Sequence, residues 1–269
     1  MSSSSIRSAT PADHATYAKL CLELGVDDPI YPLDRFIAEM MPTTLIAERD
    51  GQARGYAFFS PLNELVHLSH IVTAPDARRE GVGRALMAEV VRRARDAGCT
   101  QMTLNVRPDN LPAIRLYESF GLTRSHTNHG LRMEWAIVDR QLESAAPLAA
   151  HAHEIAPEED AVLEAECGVQ RGNLAGKRAR AGCVLRAITT EPGRTALGVF
   201  DVGFPGIRPF RAPDLAHALS LLRALRPFAQ PEHAFVVVMV EDQPDLAEAL
   251  LRAGAPLRLE TTFMRGPIR

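Results

Sequence analysis

The stretch Val72 to Leu86, VTAPDARREGVGRAL, joins a β-branched run to a helical one through a loop with glycines at 81 and 83. Glycine there lets backbone amides approach an anion with no side chain in the way. The helix that starts at this point adds unsatisfied N–H groups and the positive end of its dipole, a seat suited to a pyrophosphate. Arg78, Arg79 and Arg84 supply charge-assisted donors around the same anion. Two familiar anion loops are excluded. Leu86 stands where a dinucleotide fingerprint needs its third glycine, and no Gly-Lys-Ser/Thr follows as in a Walker loop.

A second motif lies downstream. The strand-like Thr103–Val106 leads into RPDNLPAIRLYESFG, which spaces Asn110, Ala113, Tyr117 and Gly121 as N-x-x-A-x-x-x-Y-x-x-x-G. The earlier loop reads R/Q-x-x-G-x-G/A in Arg78, Gly81 and Gly83. In this order and on these elements, the two motifs resemble the GNAT superfamily of N-acetyltransferases, over roughly residues 5–138. The resemblance implies the acyl-CoA N-acyltransferase fold, a mixed α/β sheet with helices on both faces. It implies acetyl-CoA as co-substrate, no metal, and transfer of acetyl to a small-molecule or peptide primary amine. Transfer would be by direct attack in a ternary complex.

Residue by residue, the resemblance puts Val72 and Thr73 at the end of the strand whose backbone pairs with the pantetheine arm. Arg78, Arg79, Gly81, Val82, Gly83, Arg84 and Ala85 form the pyrophosphate loop. Asn110 contacts the cofactor arm, and Tyr117 protonates or hydrogen-bonds the departing thiolate. The acceptor pocket is implied at two loops. One, between the first two helices, carries Asp27, Asp28 and Tyr31; the other, between the last two strands, carries His126, Asn128 and His129.

The chemistry explains the need for such groups. A primary amine has a pKa near 10, so only about one in a thousand is neutral at pH 7, a cost of about 4 kcal/mol unless a base or water relay helps. The oxyanion formed on attack needs a backbone donor, which the family takes from the strand ending at Val72. For the base, His67 lies fourteen residues before Gly81, where some family members place a glutamate. His70 and Glu64 are rivals on the same strand, and some members need no dedicated base. Cys21, Cys99, Cys167 and Cys183 all lie outside the motif stretches, which argues against a covalent acyl-enzyme and for a reducing, cytoplasmic setting. His126 and His129 have metal-like spacing but no Asp, Glu or Cys partners, so no metal site is expected. The rival function is an acyl-CoA-binding sensor or interaction protein with little turnover, against which the intact tyrosine speaks.

These residues must be held by strands and helices in alternation. Strands are expected at Ser5–Ala9, Thr44–Glu48, Arg54–Ser60, Leu65–Thr73 and Met102–Val106, and helices from Pro11 to Leu24, Leu33 to Met41, Gly83 to Ala97 and Leu111 to Phe120. Leu122–Asn128 and Leu131–Val138 read as a closing strand pair. Residues 1–140 are expected as the catalytic domain, the alanine-rich 141–157 as a linker, and 158–269 as a second domain.

That second half repeats the first. A shift of 133 residues lays Ala218-Leu219 on Ala85-Leu86, Val236–Met239 on Thr103–Val106, Asp242 on Asp109 and Gly254 on Gly121. It also puts Asp214 and Ala216 where Gly81 and Gly83 stand, and Leu250 in place of Tyr117. The tandem copy is therefore expected to keep the scaffold without the cofactor loop. A net charge of -3 gives no global field for nucleic acid or an anionic membrane, and no apolar run is long enough to span one. A monomer or homodimer is expected.

Overall fold

The computed structural model describes residues 4–25, 30–144, 148–191 and 193–268. The chain forms two compact units, one of Met1–Ser125 with Thr262–Arg269 and the other of His126–Thr261. Each is a mixed sheet with helices on both faces.

Unit 1 runs β1 (Ser4–Ser8), α1 (His14–Cys21), α2 (Leu33–Arg35, continuing as a π-helical turn Phe36–Met40), β2 (Thr44–Arg49), β3 (Gln52–Leu62), β4 (Leu65–Thr73), α3 (Val82–Asp96), β5 (Gln101–Val106) and α4 (Leu111–Glu118). Strands β1 to β5 lie in chain order, antiparallel except for the parallel pair β4–β5. On one face α3 turns Leu86, Met87, Val90 and Ala94 inward against Leu45, Val66, Leu68 and Leu104. These are the positions its four-residue spacing predicts, together with Met87. On the other face Tyr17 and Leu20 of α1 and Phe36 and Met40 pack on Ile46, Tyr56 and Val72. Burying each such side chain is worth about 1.5–3 kcal/mol, which is what holds short helices on the sheet.

The expected closing strand pair is absent. Residues Thr123–Glu134 form one continuous strand, β6, and Trp135–Ser144 is a helix, α5. Gly130 lies inside this strand. A Cβ there would lie 3.1 Å from Leu259 Cβ, so glycine serves a close approach inside unit 2. The place beside β5 is taken instead by Thr262–Pro267, the end of β12 (Leu257–Pro267), paired antiparallel with Val106–Gln101. The chain passes from unit 1 to unit 2 inside β6 and returns inside β12, so the compact units do not follow the expected division at 140 and 158. The expected linker 141–157 includes the end of α5 and the short β7 (His153–Glu154).

Unit 2 continues with α6 (Asp160–Glu166), α7 (Asn173–Arg178), β8 (Cys183–Thr189), β9 (Thr195–Asp201), β10 (Gly206–Arg211), α8 (Leu215–Leu225), β11 (Phe235–Glu241) and α9 (Pro244–Arg252), then enters β12. From β7 to β12 the order repeats β1 to β6 element for element. The 133-residue shift carries the starts of α3 and α4 onto those of α8 and α9. Upstream the shift breaks, because residues 74–81 join β4 to α3 whereas only 212–214 join β10 to α8.

The entry to α1 is fixed by charge. Arg7 on β1 forms a two-pronged pair with Asp13 at 2.7 Å on each arm and a 2.6 Å contact to Glu48, while Asp13 also accepts from Thr10 N and Oγ1. The Arg7 guanidinium holds the Asp13 carboxyl at about 2, below its ordinary 3.8. A carboxyl depressed in the folded state adds stability that is complete above the ordinary value and is lost as pH falls from about 4 through 2. Asp13→Asn is expected to lower the melting temperature at pH 7 and to flatten its dependence on pH between 4 and 2, measured by thermal denaturation across that range.

Candidate functional site

Strand β4 departs from its neighbour halfway along. Its parallel ladder with β5 pairs Leu65–Leu68 with Gln101–Leu104, and among the described residues no pair follows. At that point a bulge interrupts the β3–β4 register, where Phe58 pairs with His70 and Phe59 with Leu68, leaving Ser69 extra. A bulge bends its strand and reverses the side-chain alternation beyond it. Leu68 packs toward α3, as Ile71 does, whereas Val72 faces the α1 side. From Ser69 to Thr73 the β4 edge toward β5 thus presents main-chain donors and acceptors to a gap between the strands.

The loop that follows carries β4 into α3. Arg79 and Gly81 both adopt positive φ, 67° and 86°, and Gly81 is the N-cap of α3 without any side-chain cap. Ala85 N–H is the first to bond within the helix, to Gly81 O at 3.0 Å. The amides of Val82, Gly83 and Arg84 therefore have no intrahelical acceptor. A Cβ at Gly81 would meet nothing within 4 Å, so this end of the helix is open to an anion. Thr73 Oγ1 lies 3.5 Å from the position of a Cβ on Gly83, which brings the end of β4 against the start of α3. The arginines divide. Arg78 is held by Glu23 at 2.7 Å, and Arg84 donates to Ser119 and lies over the Phe120 ring. Arg79 is exposed at the loop's crest.

Asn110 is exposed and caps α4, its Oδ1 accepting from Ala113 N at 3.3 Å. This is a structural task that the motif does not reveal. Tyr117, on the same helix, is 5% exposed and packs in the α3-side core. Burial pushes its phenol well above the ordinary value, so the hydroxyl stays protonated at every physiological pH.

His67 stands on the last paired stretch of β4, with Nδ1 3.0 Å from Thr103 Oγ1 across the ladder. Glu64 lies in the β3–β4 turn, at the opposite end of β4 from the gap. His70 is on the unpaired stretch, where Tyr56 OH contacts its Nδ1 at 3.0 Å, and burial lowers its pKa to about 4, leaving it neutral. Around it runs an aromatic wall that sequence reasoning missed. Tyr17 stacks on Phe36 with ring centroids 5.2 Å apart and meets Tyr56 edge-on at 5.8 Å. Tyr31 joins this wall through its backbone, its N–H donating to Tyr17 OH and its carbonyl meeting His14 Nε2, while Arg35 lies 4.0 Å over its ring. The aromatic residues come from four separate elements, so no local spacing could have announced the wall.

Of the other expected acceptor residues, Asp27 and Asp28 lie outside the described residues. His126, Asn128 and His129 belong to strand β6 in unit 2, not to a loop. There Asn128 is buried, His126 lies 3.8 Å from Asp242, and His129 lies 4.0 Å from Glu260. Among the described residues no three His, Cys, Asp or Glu side chains are placed to hold a metal ion, and no helix is long and apolar enough to cross a membrane.

Unit 2 closes both features that unit 1 leaves open. Its parallel pair β10–β11 resumes after an irregularity, with Phe210 opposite Val240. Arg208 and Arg211 of β10 both bind Glu241 of β11, at 3.0 and 2.9 Å, where the gap would otherwise be. The N-terminus of α8 is capped by Asp214, which accepts from His217 N at 2.9 Å and pairs with Arg194. A carboxylate seated on those amides excludes an incoming anion.

Comparison with known proteins bears on residues 14–122, which match the family model described as "Acetyltransferase (GNAT) family". The chain is 32% identical over 132 residues to the aminoglycoside N(6')-acetyltransferase type 1 of Stenotrophomonas maltophilia, spanning 45% of this chain and 86% of that one. In fold it is similar to a GCN5-related N-acetyltransferase from Sphaerobacter thermophilus, with a TM-score of 0.68 at 18% identity over 99% and 96% of the two chains. It is also similar to a tandem GNAT protein from the clavulanic acid biosynthesis pathway, with a TM-score of 0.63 at 18% identity over 99% of each chain. At these identities the structural likeness speaks for the fold alone.

Proposed function

Since the chain belongs to the acetyltransferase (GNAT) family and is an acetyl-CoA-dependent N-acetyltransferase, we propose that unit 1 performs the transfer, to a primary amine attacking directly in a ternary complex. Unit 2 is the copy that has lost the cofactor seat. The observation that carries this reading is the conjunction, in unit 1, of an unpaired β4 edge with an uncapped α3 N-terminus. Both are closed in unit 2.

The residues fit the co-substrate. The open amides of Val82, Gly83 and Arg84 suit a diphosphate, and the main chain from Ser69 to Thr73 suits a pantetheine amide chain. Acetyl-CoA supplies the activated acyl carbon as a thioester. The N–H groups of Ile71 and Thr73, which alternate with the Tyr56-paired Val72 and so face the open edge, are the strand donors for the oxyanion, and a rigid strand donor is effective because it needs no reorganisation during reaction. Tyr117, kept protonated by burial, donates to the thiolate as it leaves. Proton removal from the amine falls to a histidine of β4. His67 is half-buried and bonded to Thr103, whereas His70 stands on the unpaired stretch, so the alternatives separate by substitution.

CoA release from acetyl-CoA, followed across a panel of primary amines, tests the reading. Turnover with at least one amine, abolished when the connection 74–81 is shortened to the length of 212–214 in unit 2, is the expected result. Thermal stabilisation by acetyl-CoA without turnover on any amine would overturn it in favour of a binding protein.

A further inference from the structure

Three residues apart in a regular strand, His67 and His70 would face opposite sides of the sheet. The bulge at Ser69 cancels that alternation and turns both to the α1 face, since Val66, Leu68 and Ile71 all pack toward α3. Their settings differ. His67 is tied to Thr103 where β5 still lies beside β4, whereas His70 stands where β5 has left. The His70 ring lies edge-on to Tyr56 and Phe58, with centroids 5.9 and 5.6 Å away. Its Nδ1 is 3.0 Å from the Tyr56 hydroxyl, and among the described residues its Nε2 has no hydrogen-bond partner. Tyr56 is fully buried on β3 and edge-on to Tyr17, so packing fixes where its hydroxyl oxygen sits.

We propose that His70 is the proton acceptor of the transfer and that Tyr56 is its positioning residue, accepting a hydrogen bond from Nδ1–H so that the Nε2 lone pair is left for the amine. This rests on the reading of unit 1 as the transferase. Position along the strand carries the choice. Ala74 N donates to Arg54 O at 2.9 Å, so Val72 and His70 bond in turn to Tyr56 and Phe58, and Ile71 N–H faces the open edge. His70 is thus the neighbour of an oxyanion donor, one strand step of about 3.3 Å away. His67 is four steps from Ile71, roughly 10 Å or more, beside a ladder that β5 already fills. The neutral amine attacks the thioester carbon and forms the C–N bond, and His70 Nε2 takes the proton that the nitrogen then sheds. The C–S bond breaks, the thiolate takes its proton from Tyr117, and both side chains return to their resting states by exchange with water. Burial alone lowers the pKa of His70, with no charged side chain contributing, so its lone pair is available across the neutral range. So weak a base does not strip an ammonium ion of pKa about 10. It serves an amine that arrives neutral and turns acidic once bonded to the carbonyl carbon.

The test uses the panel amine with the highest kcat and follows acetylated product, because imidazole itself can draw CoA from the thioester. His70→Ala is expected to lower kcat on the order of 10²-fold with acetyl-CoA binding unchanged. Imidazole or 1-methylimidazole added to that variant should restore the rate at least several-fold. The methylated ring has no N–H, so its rescue separates a proton acceptor from a hydrogen-bond donor. Tyr56→Phe should lower kcat several-fold in the natural chain and not at all in His70→Ala, a pattern that a merely structural hydroxyl does not give. His70→Gln, closer in volume and polarity, should be as slow and stands in for the alanine variant if that misfolds. Unimpaired turnover in the His70 variants, no rescue of His70→Ala, rescue by imidazole alone, or the same loss and rescue at His67→Ala instead would overturn the inference and leave the proposed function standing. An equal loss from Tyr56→Phe in both backgrounds would overturn its positioning role. A chain that acetylates no amine would overturn the inference and the proposed function together.

Discussion

A chain ending at Thr261 is expected to lose acetyl transfer altogether and to appear mainly in the insoluble fraction. The deletion removes Thr262–Pro267, six residues that pair with the whole of β5. It also removes Met264, which is fully buried in the core shared with Leu104 and Tyr117. Emptying a methionine site costs about 2–5 kcal/mol, and each backbone hydrogen bond lost adds about 1 kcal/mol. The sum is of the same order as the entire stability of a typical domain, about 5–15 kcal/mol. The bared edge of β5 is in addition a template for aggregation. A fragment 1–140 keeps every residue of the cofactor loop and should fail for the same reason. Soluble yield, near-UV circular dichroism and CoA release measure the outcome. The milder Met264→Ala variant of the full chain should remain folded with a reduced melting temperature. A soluble and fully active chain 1–261 would mean that Thr262–Pro267 is dispensable for unit 1.

Replacing Tyr117 by phenylalanine is expected to lower kcat on the order of 10²-fold, the usual range for loss of a positioned proton donor. Acetyl-CoA affinity should be unchanged. The two side chains differ by one hydroxyl, and the ring sits in the apolar core, so stability should hold. Burial disfavours the phenolate, so Tyr117 should contribute no loss of rate as pH rises through the neutral and mildly alkaline range. The wild-type rate should instead climb with pH as more of the acceptor amine becomes neutral. Steady-state kinetics with calorimetric binding of acetyl-CoA separate the cases. An unchanged kcat in Tyr117→Phe would leave Tyr117 as a core residue only.

Much of unit 1 was legible because its signals are local. The spacing of Leu86, Val90 and Ala94 defines the buried stripe of α3, and Gly81 and Gly83 mark the loop where amides must be bare. The role of Gly130 was not legible in this way. The glycine admits Leu259, a residue far along the chain. The bulge at Ser69 left no mark, since one extra residue in a strand changes neither composition nor period. The wall of Tyr17, Phe36, Tyr56 and His70 was equally silent, because its members meet only once the sheet and the first two helices are assembled.

The sequence by itself determined the family, the position of the glycine loop from Arg78 to Ala85, and the existence of a repeat whose second copy lacks that loop. Each of these depends on residue type at short range, which the chain order preserves. Only the tertiary structure decided which strand completes unit 1, where β4 parts from β5, and how Asp214, Arg208, Arg211 and Glu241 shut the equivalent place in unit 2. Those outcomes rest on pairings between residues distant in the chain. A strand's hydrogen-bonding edge is the same whatever its sequence, so its partner is settled by packing.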